Sequence, residues 1–339
     1  MTRLSVLDQS PIRSGGTPAQ ALQETLELAR IADRLGYHRY WLAEHHATPA
    51  LAGSSPEILI GQVAARTTRI RVGSGGVMLS HYSPLKVAEN FRMLETLFPG
   101  RIDLGIGRAP GSDPRTAAAL APETAALAVE QFPRKVADLI GFLRNDLPSD
   151  HPCAGITAMP AGPGAPPVWL LGSSDQSAAL AATCGTAFSF AHFINSRGAD
   201  AVIRAYAHHF RPSAALAAPE ASLAVFVVCA DTDAEAARLA RSRDLFLVRL
   251  YTGRSGPYPT VEEAEAYPYT PQEQVILRDA RLRSVVGTPE QVRRRLEELG
   301  GRCGVSEFVV LTITHDFKAR LRSYELLAQA FGLPGGGET

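Results

Sequence analysis

The segment Glu44-His45-His46 contains residue types that could transfer a proton. An imidazole that titrates near neutral pH can donate or accept a proton, as general acid–base catalysis requires. Adjacent strand residues point in opposite directions, so we expect one histidine to face a cavity and the other to point away. The alternative is a structural pair, with one ring packed and the other solvated. Adjacent histidines chelate a single metal ion poorly, and we therefore expect no metal site.

Residues 73–76, Gly-Ser-Gly-Gly, could be a flexible turn or could leave bare backbone beneath a flat ligand. The missing side chains of Gly75 and Gly76 would give a planar ring room, and they would also ease a cis peptide bond. Gly107-Arg108 follows another short apolar run, and the guanidinium of Arg108 could bind an anion. These segments together favour a planar ligand that carries negative charge.

Residues 172–177 form a serine-rich segment in front of a predicted helix. Backbone N–H groups, hydroxyl groups and the positive helix end could bind an anion there. The alternative is ordinary N-capping by Ser174, with Arg108 as a surface residue. Considered with the glycines and the histidine, the segment predicts a phosphorylated planar cofactor. His45 is the predicted catalytic residue. The predicted cofactor-binding residues are Gly75, Gly76, Gly107, Arg108, Gly172, Ser173, Ser174 and Ser177.

Short apolar runs of strand type alternate with longer amphipathic segments, which is the pattern of parallel βα units. Eight such strands predict a single (β/α)8 TIM barrel with long insertions at its C-terminal face, rather than a doubly wound sheet. The polar segments above would then meet at the carboxyl ends of the strands. We expect one domain over residues 1–333 and a disordered tail over 334–339. The predicted strands span residues 4–7, 39–43, 70–73, 102–106, 168–171, 187–191, 223–228 and 307–311.

Ser or Thr followed by Pro predicts the starts of five helices. A Gln three residues after Thr17 and after Thr288 predicts a capping box at each. The uncharged residues 176–195 are interpreted as a helix, a turn and a strand rather than a membrane span. Two segments, 108–124 and 252–270, exceed ordinary loop length. The five predicted starts are Thr17-Pro18, Ser55-Pro56, Ser83-Pro84, Thr270-Pro271 and Thr288-Pro289.

The composition is that of an ordinary folded protein, with 339 residues, 45% of them hydrophobic and 20% charged. The formal charge is zero and no block of like charge occurs, which argues against nucleic-acid or membrane-surface partners. Four scattered cysteines without a CxxC pair favour reduced thiols in a cytoplasmic protein. The acidic Asp8 comes too early for a signal peptide, so we do not expect export.

Four motifs, in this order and spacing, resemble the bacterial luciferase-like flavin-dependent monooxygenases. The similarity extends over nearly the whole chain, from residue 4 to about residue 331. Residues 7–11 and 266–271 resemble one branch of that family better than the light-emitting luciferase itself. The four motifs are Trp41-Leu42-Ala43-Glu44-His45-His46, Val72-Gly73-Ser74-Gly75-Gly76-Val77-Met78-Leu79, Pro99-Gly100-Arg101-Ile102-Asp103-Leu104-Gly105-Ile106-Gly107-Arg108 and Gly287-Thr288-Pro289-Glu290.

The resemblance implies roles for individual residues of this sequence. His45 matches the catalytic histidine of the family, and Gly75-Gly76 matches a non-proline cis peptide under the isoalloxazine ring. Arg108 matches a phosphate-binding arginine, and the serines of the opposing loop would share the phosphate. One of these, Ser173, replaces an acidic residue of the family. Residues 252–270 correspond to a mobile lid.

The resemblance also implies an activity and partners. The family binds FMN, usually reduced (FMNH2) and supplied by a separate reductase, and homodimers are common. The implied reaction oxidises a small organic substrate with O2 through a flavin peroxide, because the flavin carries the difficult chemistry. Two alternatives stay open, a deazaflavin (F420)-dependent hydride-transfer enzyme and a non-catalytic flavin-binding protein.

Overall fold

Eight parallel strands pair in a closed ring in the computed structural model, which describes residues 2–108, 113–121 and 128–335. The strands of the protein are β1 (Arg3–Asp8), β2 (Arg39–Leu42), β3 (Arg71–Ser74), β4 (Val77–Met78), β5 (Ile102–Gly107), β6 (Val168–Gly172), β7 (Ala187–Ala191), β8 (Ala221–Cys229), β9 (Ser284–Gly287) and β10 (Glu307–Leu311). Around the ring the order is β1, β2, β3, β5, β6, β7, β8 and β10, and β10 closes the ring by pairing with both β1 and β8. The predicted (β/α)8 barrel and all eight predicted strands are therefore confirmed.

Helices connect the strands along the outside of the ring. The helices are α1 (Pro18–Leu35), α2 (Pro56–Ala64), α3 (Pro84–Leu97), α4 (Pro114–Leu120), α5 (Ala128–Arg144), α6 (Asp175–Cys184), α7 (Ala199–His209), α8 (Asp233–Tyr251), α9 (Val261–Ala266), α10 (Pro271–Leu282), α11 (Pro289–Cys303) and α12 (Phe317–Phe331). All five predicted Ser-Pro and Thr-Pro starts begin a helix. Thr17 with Gln20 and Thr288 with Gln291 form the predicted capping boxes, whereas Ser55 makes no side-chain cap hydrogen bond.

Strand side chains alternate between two apolar layers, as the pleat of a strand requires. In β1, Leu4 and Val6 pack outward beneath the helices, and Leu7 packs inside the barrel. Trp41 and Trp169 meet inside with their ring centroids 5.2 Å apart. Because both faces of the strands are covered, the strands read as apolar runs in the sequence.

The N-terminal end of the barrel interior holds a network of buried charges. Arg39 donates from Nη1 to Asp103 (2.9 Å) and from Nε to Glu307 (2.8 Å), and the hydroxyl of Ser5 also donates to Glu307 (2.7 Å). Burial of charge is tolerated when each charge is paired and hydrogen-bonded, as it is here. This network lies at the end of the barrel opposite the carboxyl ends of the strands.

Two strands were not predicted. β4 has two residues and pairs with β5, and β9 has four residues and extends the sheet beside β8. The long segment 252–270 contains α9, and the segment 108–124 contains α4, although 109–112 and 122–127 lie outside the described residues. Of the predicted tail, 336–339 also lie outside the described residues.

Residues 176–195 form part of α6, a left-handed turn at Gly185 and β7, as the sequence predicted. In the part of the chain that the structure describes, no helix combines the length and apolar character that crossing a lipid bilayer requires.

Candidate active site

A cavity of about 540 Å³ opens at the carboxyl ends of the barrel strands. Its wall includes the exits of β2, β3, β5 and β6, where the sequence places its polar and glycine-rich segments. All nine residues predicted for catalysis or cofactor binding line this single cavity. They are His45, Gly75, Gly76, Gly107, Arg108, Gly172, Ser173, Ser174 and Ser177.

His45 lies three residues beyond the end of β2. Its backbone N–H donates to the carbonyl of Gly53 (2.9 Å), and its Nδ1 is buried with no hydrogen-bond partner among the described residues. Burial, with a smaller contribution from the neighbouring charge of His46, lowers the pKa of His45 to about 4. The expectation that this imidazole titrates near neutral pH is therefore wrong, and His45 is neutral at pH 7. The cause is desolvation, which a sequence does not display.

His46 does not line the cavity. Its Nε2 lies 2.8 Å from Oε1 of Glu44, and the hydroxyl of Tyr82 lies 3.3 Å from the same nitrogen. The two histidines therefore divide as strand geometry predicted, one at the cavity and one behind it. Glu44 itself is buried and also reaches the cavity wall.

Glycine backbone forms part of the cavity wall. The peptide bond between Gly75 and Gly76 is cis, as the resemblance implies. A Cβ on Gly76 would lie 2.8 Å from the carbonyl oxygen of Gly105 and would collide with backbone, and a Cβ on Gly75 would lie 2.6 Å from Cδ1 of Leu7, so that side chain would have to move. A Cβ on Gly107 would meet no atom of the described residues within 4 Å. Gly107 thus leaves open space that a side chain would take.

Arg108 lies beside the N-terminus of α6. Its Nη1 donates to Oε1 of Gln176 (2.5 Å), in the first turn of the helix. Ser174 caps the helix, and the hydroxyl of Ser177 donates to the Ser174 carbonyl (2.7 Å). A Cβ on Gly172 would collide with Ser177, so glycine lets the two segments approach. The N-cap interpretation of Ser174 is correct, and the adjacent guanidinium adds a positive charge to the positive helix end.

The structure adds cavity residues that the sequence analysis did not select. Gln176 accepts a hydrogen bond from Arg108. Its position two residues after the N-cap Ser174 places it in the first turn of α6, which could have identified it from the sequence. Trp41 and Ala43 share the cavity with His45, and the two-residue alternation along and beyond β2 could have found them. The rest of the apolar wall comprises Leu7, Met78, Leu171, Ala191, Phe193, Ile194, Ala224 and Val309.

The predicted lid, residues 252–270, does not contribute to the lining of this cavity. Tyr258 from this segment is buried and stacks on Phe246 with ring centroids 4.9 Å apart. Its backbone N–H donates to the carbonyl of Ile12 (2.7 Å), and its carbonyl accepts from the N–H of Ser14 (2.8 Å). The segment is therefore fastened to the loop that follows β1. Its action as a lid stays a prediction.

The strand ends bring the His45 imidazole, the backbone of Gly75 and Gly76 (the glycine floor) and the positive N-terminus of α6 to one cavity, which is where barrel enzymes place their active sites. The family model for luciferase-like monooxygenases matches residues 2–306. The chain belongs to the luciferase-like monooxygenase family, and it is an oxidoreductase.

Close relatives cover almost the whole chain. The chain is 46% identical over 331 residues to the uncharacterized protein YceB of Bacillus subtilis, covering 98% of this chain and 100% of that protein. It is 41% identical over 334 residues to the N-acetyl-S-alkylcysteine monooxygenase of the same organism, covering 97% and 98%. The crystal structure of apo-MsnO8 is similar with a TM-score of 0.90 and 42% identity, covering 99% of this chain and 100% of that one.

More distant structures share the fold and bind two kinds of cofactor. The oxygenating constituent of 3,6-diketocamphane monooxygenase from Pseudomonas putida, in complex with FMN, has a TM-score of 0.70 and 19% identity, with 97% of each chain covered. An F420-dependent secondary alcohol dehydrogenase in complex with an F420–acetone adduct has a TM-score of 0.71 and 13% identity, covering 97% of this chain and 98% of that one. At these identities the likeness concerns the fold alone.

Proposed function

We propose that this protein is an FMN-dependent monooxygenase that uses reduced flavin and O2 to oxidise a small organic substrate. One observation carries the proposal: a single cavity joins Arg108 and the α6 N-terminus, the bare backbone of Gly75 and Gly76, and the imidazole of His45. A phosphorylated flat ring needs a cation at one end and few side chains at the other. The cavity offers both.

Two details of the cavity fit FMN. Within the described part of the chain, the space beside Gly107 is open and the buried Nδ1 atom of His45 has no hydrogen-bond partner. The phosphate would be held by Arg108, whose guanidinium has donors beyond the one bonded to Gln176, together with Ser173, Ser174, Ser177 and the backbone of Gly172. The ring would lie against Gly75 and Gly76.

Reduced FMN, when bound, would supply the two electrons that activate O2, while one oxygen atom of O2 goes to the substrate and the other is released as water. The protein binds the cofactor, orients the substrate and excludes water. The side chains of Trp41, Met78, Leu171 and Phe193 give the cavity an apolar wall that disfavours water near the reacting atoms.

His45 would manage a proton at the ring end of the cavity. Because its pKa is about 4, the side chain is a neutral imidazole at pH 7. It can therefore accept a proton, or donate a hydrogen bond from its N–H, but it does not hold a readily available acidic proton. We expect the His45→Ala variant to lose about 10²- to 10⁴-fold in turnover.

The partners in this proposal are a small-molecule substrate, O2, a separate reductase that supplies reduced FMN and a second copy of the chain in a homodimer. The family supports the first two, and the resemblance alone suggests the others. A cytoplasmic location is also proposed, and four free cysteines support it. Thioethers are the first substrate class to test, since a relative with 41% identity is an N-acetyl-S-alkylcysteine monooxygenase.

The test begins with the purified protein and titrations of FMN and of F420, followed by quenching of cofactor fluorescence. Photoreduced FMN is then added under isotopically labelled O2 with a panel of thioethers, ketones and aldehydes. The proposal predicts preferential FMN binding and labelled oxygen in a product. A preference for F420 with hydride transfer, or FMN binding with no substrate-dependent O2 uptake, would overturn it. His45→Ala, which should still bind FMN, is the control for background oxidation by free flavin.

A further inference from the structure

The carboxylate of Glu44 is buried at the edge of the cavity, with 2% of the residue exposed. Its Oε2 accepts from the backbone N–H of Met78 (3.0 Å). Its Oε1 accepts from the hydroxyl of Tyr82 (2.6 Å) and lies 2.8 Å from Nε2 of His46. In the described ranges no lysine or arginine pairs with this carboxylate. A buried carboxylate is costly unless hydrogen-bonded, so these three contacts are what stabilise Glu44 in this position.

These contacts join two segments whose relative position shapes the cavity. Glu44 immediately precedes His45, and Met78 lies two residues beyond Gly76. The glycine floor is fixed at its first end by the main chain, where the N–H of Gly75 donates to the carbonyl of Leu42 in β2 (2.7 Å). Glu44 fixes the other end through Met78. The glycine floor and His45 are therefore both connected to β2 and the residues that directly follow it. The connections are the Gly75–Leu42 backbone hydrogen bond and the Glu44 carboxylate.

The turn that follows the floor is held from both sides. Burial and the hydrogen bond to Glu44 raise the pKa of Tyr82, so its hydroxyl stays protonated and remains a donor. From the opposite side, Lys135 in α5 donates from Nζ to the carbonyls of Ser80 (2.8 Å) and Tyr82 (3.2 Å). Lys135 therefore stabilises the backbone of this turn, whereas Glu44 connects the turn to the cavity wall through the Tyr82 hydroxyl.

We propose that Glu44 is a positioning residue that keeps the glycine floor and His45 in a fixed arrangement around the FMN ring. This inference rests on the proposed function. Glu44 acts through the backbone of Met78 and of its neighbour His45. Its removal should therefore change how tightly, and in what geometry, the ring is held.

The experiment compares three variants with a matched control. Glu44→Ala removes all three contacts, Glu44→Gln keeps an oxygen for the Met78 N–H, and Tyr82→Phe removes only the hydroxyl. The control is Asp33→Ala. Asp33 is also a buried carboxylate that accepts backbone N–H groups, from Thr68 (2.8 Å), Arg69 (3.1 Å) and Ile70 (2.8 Å), but it lies at the other end of β3. Each protein is assayed for FMN dissociation constant, for the visible circular dichroism of bound FMN and for thermal unfolding.

We expect Glu44→Ala to weaken FMN binding about tenfold or more and to change the dichroism of bound FMN. Glu44→Gln should recover part of the affinity, and Tyr82→Phe, which keeps the hydrogen bond from the Met78 N–H to Glu44, should lose less affinity than Glu44→Ala. Asp33→Ala should unfold at lower temperature with wild-type FMN affinity. If Glu44→Ala does not fold, Glu44→Gln and Tyr82→Phe provide the test.

Wild-type affinity and dichroism in all folded variants of Glu44 and Tyr82 would overturn the inference. An equal loss of affinity in Asp33→Ala would overturn it as well, because the effect would then follow stability rather than position. If the wild-type protein itself does not bind FMN, the proposed function fails, which is a different result.

Discussion

Lowering the pH from 7 to 5 is expected to destabilise the folded protein, because His45 is buried in its neutral form. The pKa of His45 is about 4 in the folded protein, against 6.5 for an unperturbed histidine. The unfolded chain therefore takes up a proton at a pH where the folded chain does not. Stability is lost as the pH falls through 6.5 toward 4, and above pH 7 the effect disappears.

The size of the effect follows from proton linkage. For pKa values of 6.5 unfolded and about 4 folded, the free energy of unfolding falls by about 2 kcal/mol between pH 7 and pH 5. His192, which is 6% exposed, also has its pKa lowered to about 4 by burial and by the charges of Arg302 and Arg283, so it contributes a similar loss. The pKa values of Asp8 and Asp33 are lowered, and these carboxylates stay charged in this window.

The assay is urea unfolding at pH 7, 6 and 5 of the wild-type protein, His45→Gln and His192→Gln. Glutamine does not titrate, so each single variant should lose about 2 kcal/mol less than the wild type over this range. The two effects should add in the double variant, and His38, whose pKa is also lowered by burial, should account for part of the pH dependence that remains. If His45→Gln keeps the full wild-type pH dependence while His192→Gln does not, His45 is not a buried neutral imidazole and its assigned role at pH 7 is wrong.

Two further predictions concern the cavity wall and the barrel core. Gly105 and Gly107 lie on the same face of β5, but a Cβ on Gly105 would collide with the carbonyl oxygen of Ser74, whereas one on Gly107 would meet none of the described residues within 4 Å. Gly105→Ala should therefore lose about 1–3 kcal/mol of stability, while Gly107→Ala should unfold like the wild type and bind FMN more weakly; equal stability of the two variants in urea unfolding would contradict this. Arg320, which is 1% exposed, donates from Nη2 to the buried carboxylate of Asp8 (2.8 Å). Arg320→Met leaves that carboxylate unpaired and should cost about 3–5 kcal/mol, measured by urea unfolding, and a loss below 1 kcal/mol would show that the pair is dispensable.

The fold follows from local signals that recur along the chain. Ser-Pro and Thr-Pro pairs such as Thr17-Pro18 fix helix starts through groups only a few residues apart, and apolar runs buried on both faces identify the strands. β4 and β9 were not predicted because they have only two and four residues and are defined by pairing with distant strands. Their sequences alone carry no distinct signal.

The membership of the cavity was also predictable, because a parallel barrel gathers the carboxyl ends of its strands on one face. This rule brings His45, Gly75 and Arg108 together although they are far apart in sequence. The protonation of His45 was not predictable, since its burial depends on how neighbouring segments pack around it. The position of residues 252–270 was not predictable for the same reason. It depends on backbone hydrogen bonds between Tyr258 and the distant residues Ile12 and Ser14.

In the proposed complex, Arg108 and the α6 N-terminus bind the phosphate of a flavin whose ring lies against the backbone of Gly75 and Gly76. FMN and riboflavin differ only in that phosphate. The ratio of their dissociation constants therefore measures the contribution of the phosphate, and comparing this ratio in the wild type and in Arg108→Met measures the share that depends on Arg108. The Arg108 side chain is partly exposed, and among the described residues it bonds to Gln176, so its replacement should leave the fold intact. We predict that the wild type binds FMN about 10- to 100-fold more tightly than riboflavin and that Arg108→Met removes most of this difference. An undiminished preference for FMN in Arg108→Met, or no preference in the wild type, would contradict phosphate binding at this site.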